Sequence, residues 1–303
     1  MIATSTPLLE SVEAIDASWL QRVLDEAGVT ARVRDVLAQP IGHGTSSAVA
    51  RLRIGYEGQA HGAPATLVAK FPKARTERSS APAVVEGFAR EVAAFRAFGS
   101  NGPFRIPRCY LADINDEGVF NLILEDLGDG CRPGDQIAGC SPGEAMAVAR
   151  ELAGLHCAWW NVRDLDRLAW PRRRAPIAAR NAALYARGAD EMRRRFAGRL
   201  GRDALAIIDA AVDLLEPWYV AAPAVSTLIH ADPRVDNVIF EDRFAGVRAC
   251  LIDWQSVAIG DPANDLAYFL TGSLAPEDRA ACERDVVALH AATVRAAGID
   301  YSD

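Results

Sequence analysis

A polar loop between two apolar runs is the feature that most constrains what this chain can fold into. The loop has the spacing His-x-Asp-x-x-x-x-Asn and reads His230-Ala231-Asp232-Pro233-Arg234-Val235-Asp236-Asn237. The apolar segments Val238–Phe240 and Ala249–Ile252 follow it, and Asp253 comes directly after the second one. If these two segments form a hairpin, Asp253 returns to the place where Asn237 lies.

These side chains match the requirements of phosphoryl transfer. A carboxylate such as Asp232 can orient and deprotonate an attacking hydroxyl group, and oxygen atoms of Asn237 and Asp253 can bind the metal that neutralises phosphate charge. Either half alone is also typical of an ordinary turn, because Asp and Asn are common turn residues. Both halves at matched hairpin spacing predict a catalytic centre.

Length and composition limit the alternatives. The 303 residues suffice for two lobes, and the net charge of −7 argues against nucleic acid as the main partner. We see no apolar run near twenty residues and no signal peptide, and therefore expect no membrane insertion. The six cysteines form no C-x-x-C pair, which favours reduced thiols in a cytoplasmic protein.

The residue pattern changes from strand-like to helical along the chain. We predict a helix over Ser11–Glu26, capped by Ser11 and ended by Gly28, then strands between Val33 and Phe71. A helix over Val84–Phe98 and strands at Arg108–Ala112 and Val119–Leu124 follow. After Gly128 the pattern is mainly helical, beginning with a helix capped by Ser141. Later helices are predicted near 175–199, near 202–219 and from Pro262 onward.

The expected fold class is therefore α+β, with a β-rich N-terminal lobe over residues 1–126 and a mainly helical C-terminal lobe over 127–303. A cleft between two lobes is a favoured ligand site.

The catalytic and metal motifs resemble those of kinases, although Asp253-Trp254-Gln255 departs from Asp-Phe-Gly. Together with Gly260-Asp261-Pro262-Ala263-Asn264-Asp265, they are similar to the aminoglycoside phosphotransferase and choline-kinase superfamily. The ecdysteroid-kinase-like and acyl-CoA-dehydrogenase-associated branches look closest. The resemblance covers roughly Ile41 to Leu270 and implies a bilobal protein-kinase-like fold.

The resemblance also implies ATP and Mg²⁺ as cofactors and a role for each residue of the motif. Asp232 would be the base, and Asn237 and Asp253 would be the magnesium ligands. His230 would be part of the scaffold rather than a proton carrier, and Asp265 would brace the loop by accepting backbone hydrogen bonds.

The N-terminal half offers candidates for nucleotide binding. Glycines let a backbone approach phosphates closely, which suits the loop residues Gly42, Gly44, Ser46 and Ser47, although a plain hairpin turn would look similar. The resemblance implies that Lys70 pairs with Glu91 and binds the ATP phosphates. The alternative is a solvated lysine at a strand end.

Other roles rest on the resemblance alone. Backbone groups of Glu125 and Leu127 would bind the adenine edge. Arg234 occupies the place of a lysine that reaches the γ-phosphate in protein kinases, and it either stabilises the transferring charge or faces solvent.

The chain departs from the family pattern at two places. Ala231 replaces a usual glycine, and alanine would cost about 1 kcal/mol or more if φ is positive there; we expect a tolerated change. The chain ends at Asp303, where the resemblance implies one or two further helices, so we expect a shortened C-terminal lobe.

The middle of the C-terminal lobe is rich in arginine and poor in carboxylates. A polycationic aminoglycoside would need a carboxylate-rich site, so we expect the acceptor to be a neutral or anionic small-molecule alcohol, for instance a hydroxy-acyl compound. Solvated helix faces explain arginine runs equally well. Three other functions remain open: a nucleotide-binding pseudokinase without turnover, an antibiotic kinase and a protein kinase. The arginines are Arg172, Arg173, Arg174, Arg180, Arg187, Arg193, Arg194, Arg195, Arg199 and Arg202.

Overall fold

The computed structural model describes residues 6–42, 47–73, 82–98, 102–161, 175–196, 198–221, 225–242 and 246–301. Within these ranges the chain forms seven α-helices and ten β-strands. This composition confirms the α+β class. The division into lobes at residue 126 stays a prediction.

A five-stranded antiparallel sheet forms the N-terminal part of the molecule. Its strands lie in the order β1-β2-β3-β5-β4. They are β1 (Val33–Pro40), β2 (Ser47–Tyr56), β3 (Thr66–Pro72), β4 (Cys109–Ile114) and β5 (Phe120–Glu125). Helix α1 (Ala17–Glu26) packs on one face of the sheet, and α2 (Pro82–Phe98) packs on the other.

Side chains along β3 point alternately to the two faces of the large sheet. Leu67, Ala69 and Phe71 join the core beneath α1, because successive side chains of a strand point to opposite faces. Lys70 therefore points to the face that α2 covers. The apolar strand β3 thus places the ammonium group of Lys70 on the α2 side of the sheet.

The first predicted helix begins later than its sequence suggests. Residues Val12–Ala14 form a short 3-10 turn, and Ser11 makes no side-chain capping bond. Asp16 caps α1 instead, since its Oδ1 accepts a hydrogen bond from the Trp19 N–H at 2.7 Å. The prediction of Ser11 as the cap was wrong, whereas Gly28 does end the helix, with φ of 79°.

The C-terminal part is mainly helical and contains two small sheets. Strands β6, β8 and β9 form one sheet, and β7 pairs with β10; the sequence did not predict β6 or β10. The elements are β6 (Cys131–Pro133), α3 (Pro142–Ala158), α4 (Ala175–Phe196), α5 (Arg202–Val220), β7 (Thr227–Ile229), β8 (Val238–Glu241), β9 (Arg248–Leu251), β10 (Ala258–Gly260), α6 (Pro262–Ser273) and α7 (Pro276–Ala296).

The predicted start of α3 is confirmed. The Ser141 hydroxyl accepts a hydrogen bond from the Glu144 N–H, and the Glu144 carboxylate accepts one from the Ser141 N–H, with Pro142 at the first turn. This capping box satisfies backbone donors that would otherwise lack partners.

One hydrophobic core runs across the join between sheet and helices. Trp254 is fully buried, with its ring centroid 4.7 Å from that of Phe98 and 5.9 Å from that of Phe104. Phe98 ends α2, so this aromatic cluster fixes the segment after β9 against the N-terminal part. The residues of the polar motif therefore lie directly beside a packed hydrophobic core.

Candidate active site

The hairpin of β8 and β9 brings the two halves of the polar motif together. Val238 pairs with Leu251 across the hairpin, and the Ile252 N–H donates to the Asn237 carbonyl at 3.0 Å. Asp253 is therefore the next residue beyond the one that faces Asn237. The predicted hairpin, and the convergence that it implies, are present.

Asn237 links the metal-ligand candidates to the candidate base. Its Nδ2 donates to Oδ2 of Asp232 at 3.1 Å and to the Asp232 carbonyl at 2.9 Å. Asn237 is buried, whereas the side chains of Asp232 and Asp253 keep 27% and 36% of their surface exposed. Both carboxylates are thus held in place and still accessible to a ligand.

Lys70 and Glu91 form the ion pair that the resemblance implied. Nζ of Lys70 lies 2.8 Å from each oxygen of Glu91 and 3.3 Å from Oδ1 of Asp253. Burial disfavours the ammonium charge, but the Glu91 and Asp253 carboxylates outweigh burial and raise the pKa of Lys70. Burial raises the pKa of Glu91. The solvated-lysine alternative is excluded by these contacts.

Gln255 connects the segment Asp253–Gln255 to α2, a contact that no pattern in the sequence indicated. Its Nε2 donates to Oε2 of Glu91 at 3.3 Å, and its carbonyl accepts from Nε of Arg90 at 2.8 Å. Gln255 was visible in the motif, but nothing in the sequence showed that α2 would meet it.

Asp265 holds the backbone of the catalytic loop, as its predicted bracing role requires. Its Oδ2 accepts from the His230 N–H at 2.7 Å, and its Oδ1 accepts from the Ala231 N–H at 2.9 Å. His156 lies 3.2 Å from the same carboxylate. Burial alone would raise the pKa of Asp265, but the hydrogen bonds from His156 and from the Ala231 N–H help to lower it.

Two residues of the motif adopt the left-handed backbone conformation. Ala231 has φ of 65° and Asp253 has φ of 63°. L-residues other than glycine, Asn and Asp rarely adopt this conformation, which costs roughly 1–2 kcal/mol. Because φ is positive, the backbone at Ala231 is strained, as the sequence predicted for this case. Strain of this kind concentrates at functional sites.

His230 is enclosed by the scaffold. Its Nε2 donates to the Ile252 carbonyl at 2.9 Å, its ring centroid lies 4.6 Å from that of Trp254, and it is fully buried. The ring thus connects the loop His230–Asn237 to the segment Ile252–Trp254. Its role as scaffold stays a prediction that agrees with these contacts.

Arg234 lies beside the candidate base. Its Nε is 3.5 Å from Oδ1 of Asp232, and its Nη1 is 3.3 Å from Oδ2 of Asp236. The side chain is 37% exposed. It is therefore at the catalytic loop and partly open to solvent, a position compatible with either of its two predicted roles.

The phosphate-loop candidates are only partly described. Gly42 has φ of 66° and open space around it, as a close backbone approach requires. Ser47 begins β2, pairs with Pro72 and is buried. Gly44 and Ser46 lie outside the described residues. The phosphate-binding role of this loop stays a prediction.

The segment joining sheet and helices is braced by two arginines. Arg105 donates two hydrogen bonds to the Glu125 carboxylate and one to the buried Glu241. Arg51 donates two to Asp126. The Glu125 N–H bonds to the Arg108 carbonyl, and the Leu127 carbonyl accepts from Sγ of Cys131. Base binding by Glu125 and Leu127 stays a prediction.

The arginines of α4 are largely paired with carboxylates. Arg193 contacts Asp190 and Asp209, and Arg194 contacts Glu191. Arg194 and Arg195 are more than 70% exposed, as expected for a solvated helix face. Arg172, Arg173 and Arg174 lie outside the described residues.

Comparison with known proteins assigns the family. The model of the phosphotransferase enzyme family known as APH matches residues 38–302. The chain belongs to this family. The recognition made from the motifs is therefore confirmed.

Solved structures of other phosphotransferases share the fold. A GDP complex of a mutant aminoglycoside 2′-phosphotransferase-IIIa is 15% identical, with a TM-score of 0.54 over 91% of this chain and 85% of that one. An aminoglycoside-3′-phosphotransferase of type VIII is 20% identical, with a TM-score of 0.51 over 88% and 89%. Choline kinase from Cryptosporidium parvum is 13% identical, with a TM-score of 0.52 over 86% and 74%. These likenesses confirm the kinase-like fold.

A curated relative matches a shorter stretch of the phosphotransferase. Acyl-CoA dehydrogenase family member 10 from Mus musculus is 39% identical over 83 residues, which cover 26% of this chain and 8% of that protein. The chain thus aligns with a small part of that protein's length.

Among the described residues, no helix combines the length and the apolar character needed to cross a membrane.

Proposed function

We propose that this phosphotransferase transfers the γ-phosphate of ATP to a hydroxyl group of a small-molecule alcohol and requires Mg²⁺. The observation that carries the proposal is the convergence of Lys70, Asp232, Asn237 and Asp253 in one accessible site. Each of these residue types has a separate task in phosphoryl transfer. Family membership supports the reaction class, and the GDP complex of a fold neighbour supports nucleotide binding.

Asp232 is the proposed general base. Asn237 holds its Oδ2 at 3.1 Å, which fixes the carboxylate while its exposed surface faces the entering hydroxyl group. Arg234 lies 3.5 Å from the other oxygen and can attract the negative charge of the transferring phosphoryl group. Lys70, locked between two carboxylates, is oriented to contact the nucleotide phosphates.

The residues present fit a magnesium site. Nδ2 of Asn237 points to Asp232, so Oδ1 is directed elsewhere, and Asp253 adds a partly exposed carboxylate. Mg²⁺ prefers oxygen ligands and usually takes one or two from the protein, with phosphates and water completing the set. When bound, it would neutralise charge on the phosphates. Asn237 and Asp253 would hold it.

The proposed acceptor is neutral or anionic. The two carboxylates of α4, Asp190 and Glu191, already contact arginines. Helix α4 therefore offers little unpaired negative charge to the amino groups of a polycationic aminoglycoside. The six free cysteines fit the proposed cytoplasmic location, because such compartments keep thiols reduced.

The test measures nucleotide turnover of the full chain with Mg²⁺, comparing ATP with GTP and hydroxy acids, neutral alcohols, choline and kanamycin as acceptors. We expect phosphorylated product with a hydroxy acid or neutral alcohol. Asp232→Asn should lower kcat by at least about a hundredfold, since a general base contributes that much or more. Asp116→Asn, an identical change at an exposed residue, is the control.

Two outcomes would reject the proposal. Undiminished turnover in Asp232→Asn would remove Asp232 as the base. Thermal stabilisation by ATP without product from any acceptor would favour the nucleotide-binding pseudokinase. Turnover with kanamycin alone would instead support an antibiotic kinase.

A further inference from the structure

Three buried side chains from three helices meet behind the catalytic loop. They are His156 of α3, Asp265 of α6 and His290 of α7, and all are fully buried. Nδ1 of His156 lies 2.8 Å from Nε2 of His290, and Nε2 of His156 lies 3.2 Å from Oδ2 of Asp265. Neither histidine belongs to a motif that the sequence reveals.

The geometry restricts where the protons can be. A carboxylate only accepts hydrogen bonds, so Nε2 of His156 must carry a proton toward Asp265. The two ring nitrogens at 2.8 Å share one proton, because two N–H groups facing each other would clash. Either His290 donates to a neutral His156, or a charged His156 donates to His290.

The other nitrogen of His290 decides between these states. Among the described residues, Nδ1 of His290 has no hydrogen-bond partner. If His290 accepted on Nε2, its proton would sit on Nδ1 as a buried donor without a partner, which is costly. If His290 donates from Nε2, Nδ1 keeps only a lone pair. Burial and the neighbouring His156 lower the pKa of His290 to about 3, in agreement with a neutral ring.

The chain of contacts ends at the strained residue beside the candidate base. Asp265 accepts from the N–H groups of His230 and Ala231, and Ala231 holds φ of 65° immediately before Asp232. A change at His290 can therefore reach Asp232 through two side chains and one backbone unit.

We propose that His290 is a positioning residue, which donates from Nε2 to His156 and thereby keeps the His156 Nε2–H directed at Asp265, so that Asp265 holds Ala231 and orients Asp232. The kinetic consequences rest on the proposed phosphotransferase function. The tautomers and the backbone hydrogen bonds do not rest on it.

The first test needs no variant. Nitrogen-15 NMR of the histidine rings in the full chain at neutral pH should show both His156 and His290 neutral and protonated at Nε2. A proton on Nδ1 of His290, or a charged His156, would overturn the proposal.

The second test uses His290→Leu, which removes the donor, and His290→Gln, whose amide can still donate. His61→Leu, at an exposed histidine, is the matched control. In His290→Leu we expect amide hydrogen exchange at His230 and Ala231 to quicken about tenfold, as expected from loss of one net hydrogen bond. His290→Gln should retain most of the protection and also serves if His290→Leu does not fold. Unchanged exchange in a folded His290→Leu would overturn the proposal.

The third test separates positioning from packing. His290→Leu should lower kcat about tenfold and change KM for ATP less than about twofold, because it misorients the base rather than the nucleotide site. Adding Ala231→Gly, which removes the strain at residue 231, should recover part of the lost kcat. A fall in kcat that neither Ala231→Gly nor His290→Gln lessens would show a packing role and contradict the proposal. If the wild type has no turnover, the proposed function fails, while tautomers and exchange still decide the role of His290.

Discussion

Nζ of Lys70 lies 3.3 Å from Oδ1 of Asp253, although the two residues are 183 positions apart. Lys70 belongs to β3 of the large sheet, and Asp253 follows β9 of the C-terminal hairpin. Glu91 of α2 forms a second ion pair with Lys70. A disturbance of this ion network should therefore alter both the stability of the fold and the binding of nucleotide.

The Lys70–Glu91 pair should be measurable by an isosteric change. Glu91→Gln removes the charge that neutralises a largely buried ammonium group, and we expect the free energy of unfolding to fall by about 2 kcal/mol, as for a charge-assisted hydrogen bond. Urea unfolding measures this. Asp35→Asn, at the exposed pair with Arg34, should change stability by less than about 0.5 kcal/mol. Equal effects in both variants would contradict a special role of the buried pair.

Ala231 should be more stable as glycine. Relief of the left-handed conformation is worth roughly 1–2 kcal/mol, and the added freedom of the unfolded chain removes about 0.4–1 kcal/mol of this gain. We expect Ala231→Gly to raise the free energy of unfolding by about 0.5–1 kcal/mol. Ala288→Gly in the exposed face of α7 should have the opposite sign, at about 1 kcal/mol. A destabilised Ala231→Gly would show that the backbone there is not strained.

Gln255 should influence nucleotide binding more than the chemical step. Gln255→Met keeps the length of the side chain but removes the donor to Glu91, which loosens the orientation of Lys70. We expect KM for ATP to rise about threefold to tenfold, as loss of one net hydrogen bond predicts, with a smaller change in kcat. Gln59→Met, at an exposed loop residue, should leave both constants unchanged. A fall in kcat with an unchanged KM for ATP would contradict the role of Gln255 in orienting Lys70.

The sequence predicted the parts of the site that follow from local patterns. The hairpin between Asn237 and Asp253, the cap at Ser141 and the strand carrying Lys70 each depend on nearby residues, and each is present. Ser11 was the wrong cap because Asp16, five residues later, offers a better acceptor to the Trp19 N–H. Both residue types are good caps, so sequence alone could not choose between them.

Contacts between distant elements could not be predicted in this way. His156 and His290 are 134 positions apart, and Arg105 meets Glu241 from a distance of 136 positions. In the sequence, each looks like an isolated polar residue within an apolar helix or loop. The positive φ of Ala231 could not be predicted either, because an alanine in the sequence gives no sign of a left-handed backbone and the family resemblance only suggested a glycine there.

The buried histidines and Asp265 should make stability depend on pH in a defined direction. The pKa of Asp265 is lower in the folded protein than in the unfolded chain. The ionised carboxylate therefore stabilises the fold above the unfolded pKa, and this stabilisation is lost as the pH falls through the folded pKa. His290 stays neutral in the fold down to about pH 3, whereas in the unfolded chain it takes up a proton below about pH 6.5. Acid therefore favours the unfolded state. The effect of His290 alone should be about 2 kcal/mol between pH 7 and pH 5.

Urea unfolding of the full chain between pH 7 and pH 4 tests this dependence. The groups facing His290 include His156 and, through it, Asp265, so the wild type reports their combined titration. The unfolded His290→Gln chain binds one proton fewer than the unfolded wild type at these pH values. The slope of the unfolding free energy between pH 6 and pH 4 should therefore fall by up to about 1.4 kcal/mol per pH unit. His61→Gln, at an exposed histidine, is the control and should leave the slope unchanged. An identical slope in wild type and His290→Gln would mean that His290 is already protonated in the folded protein at these pH values.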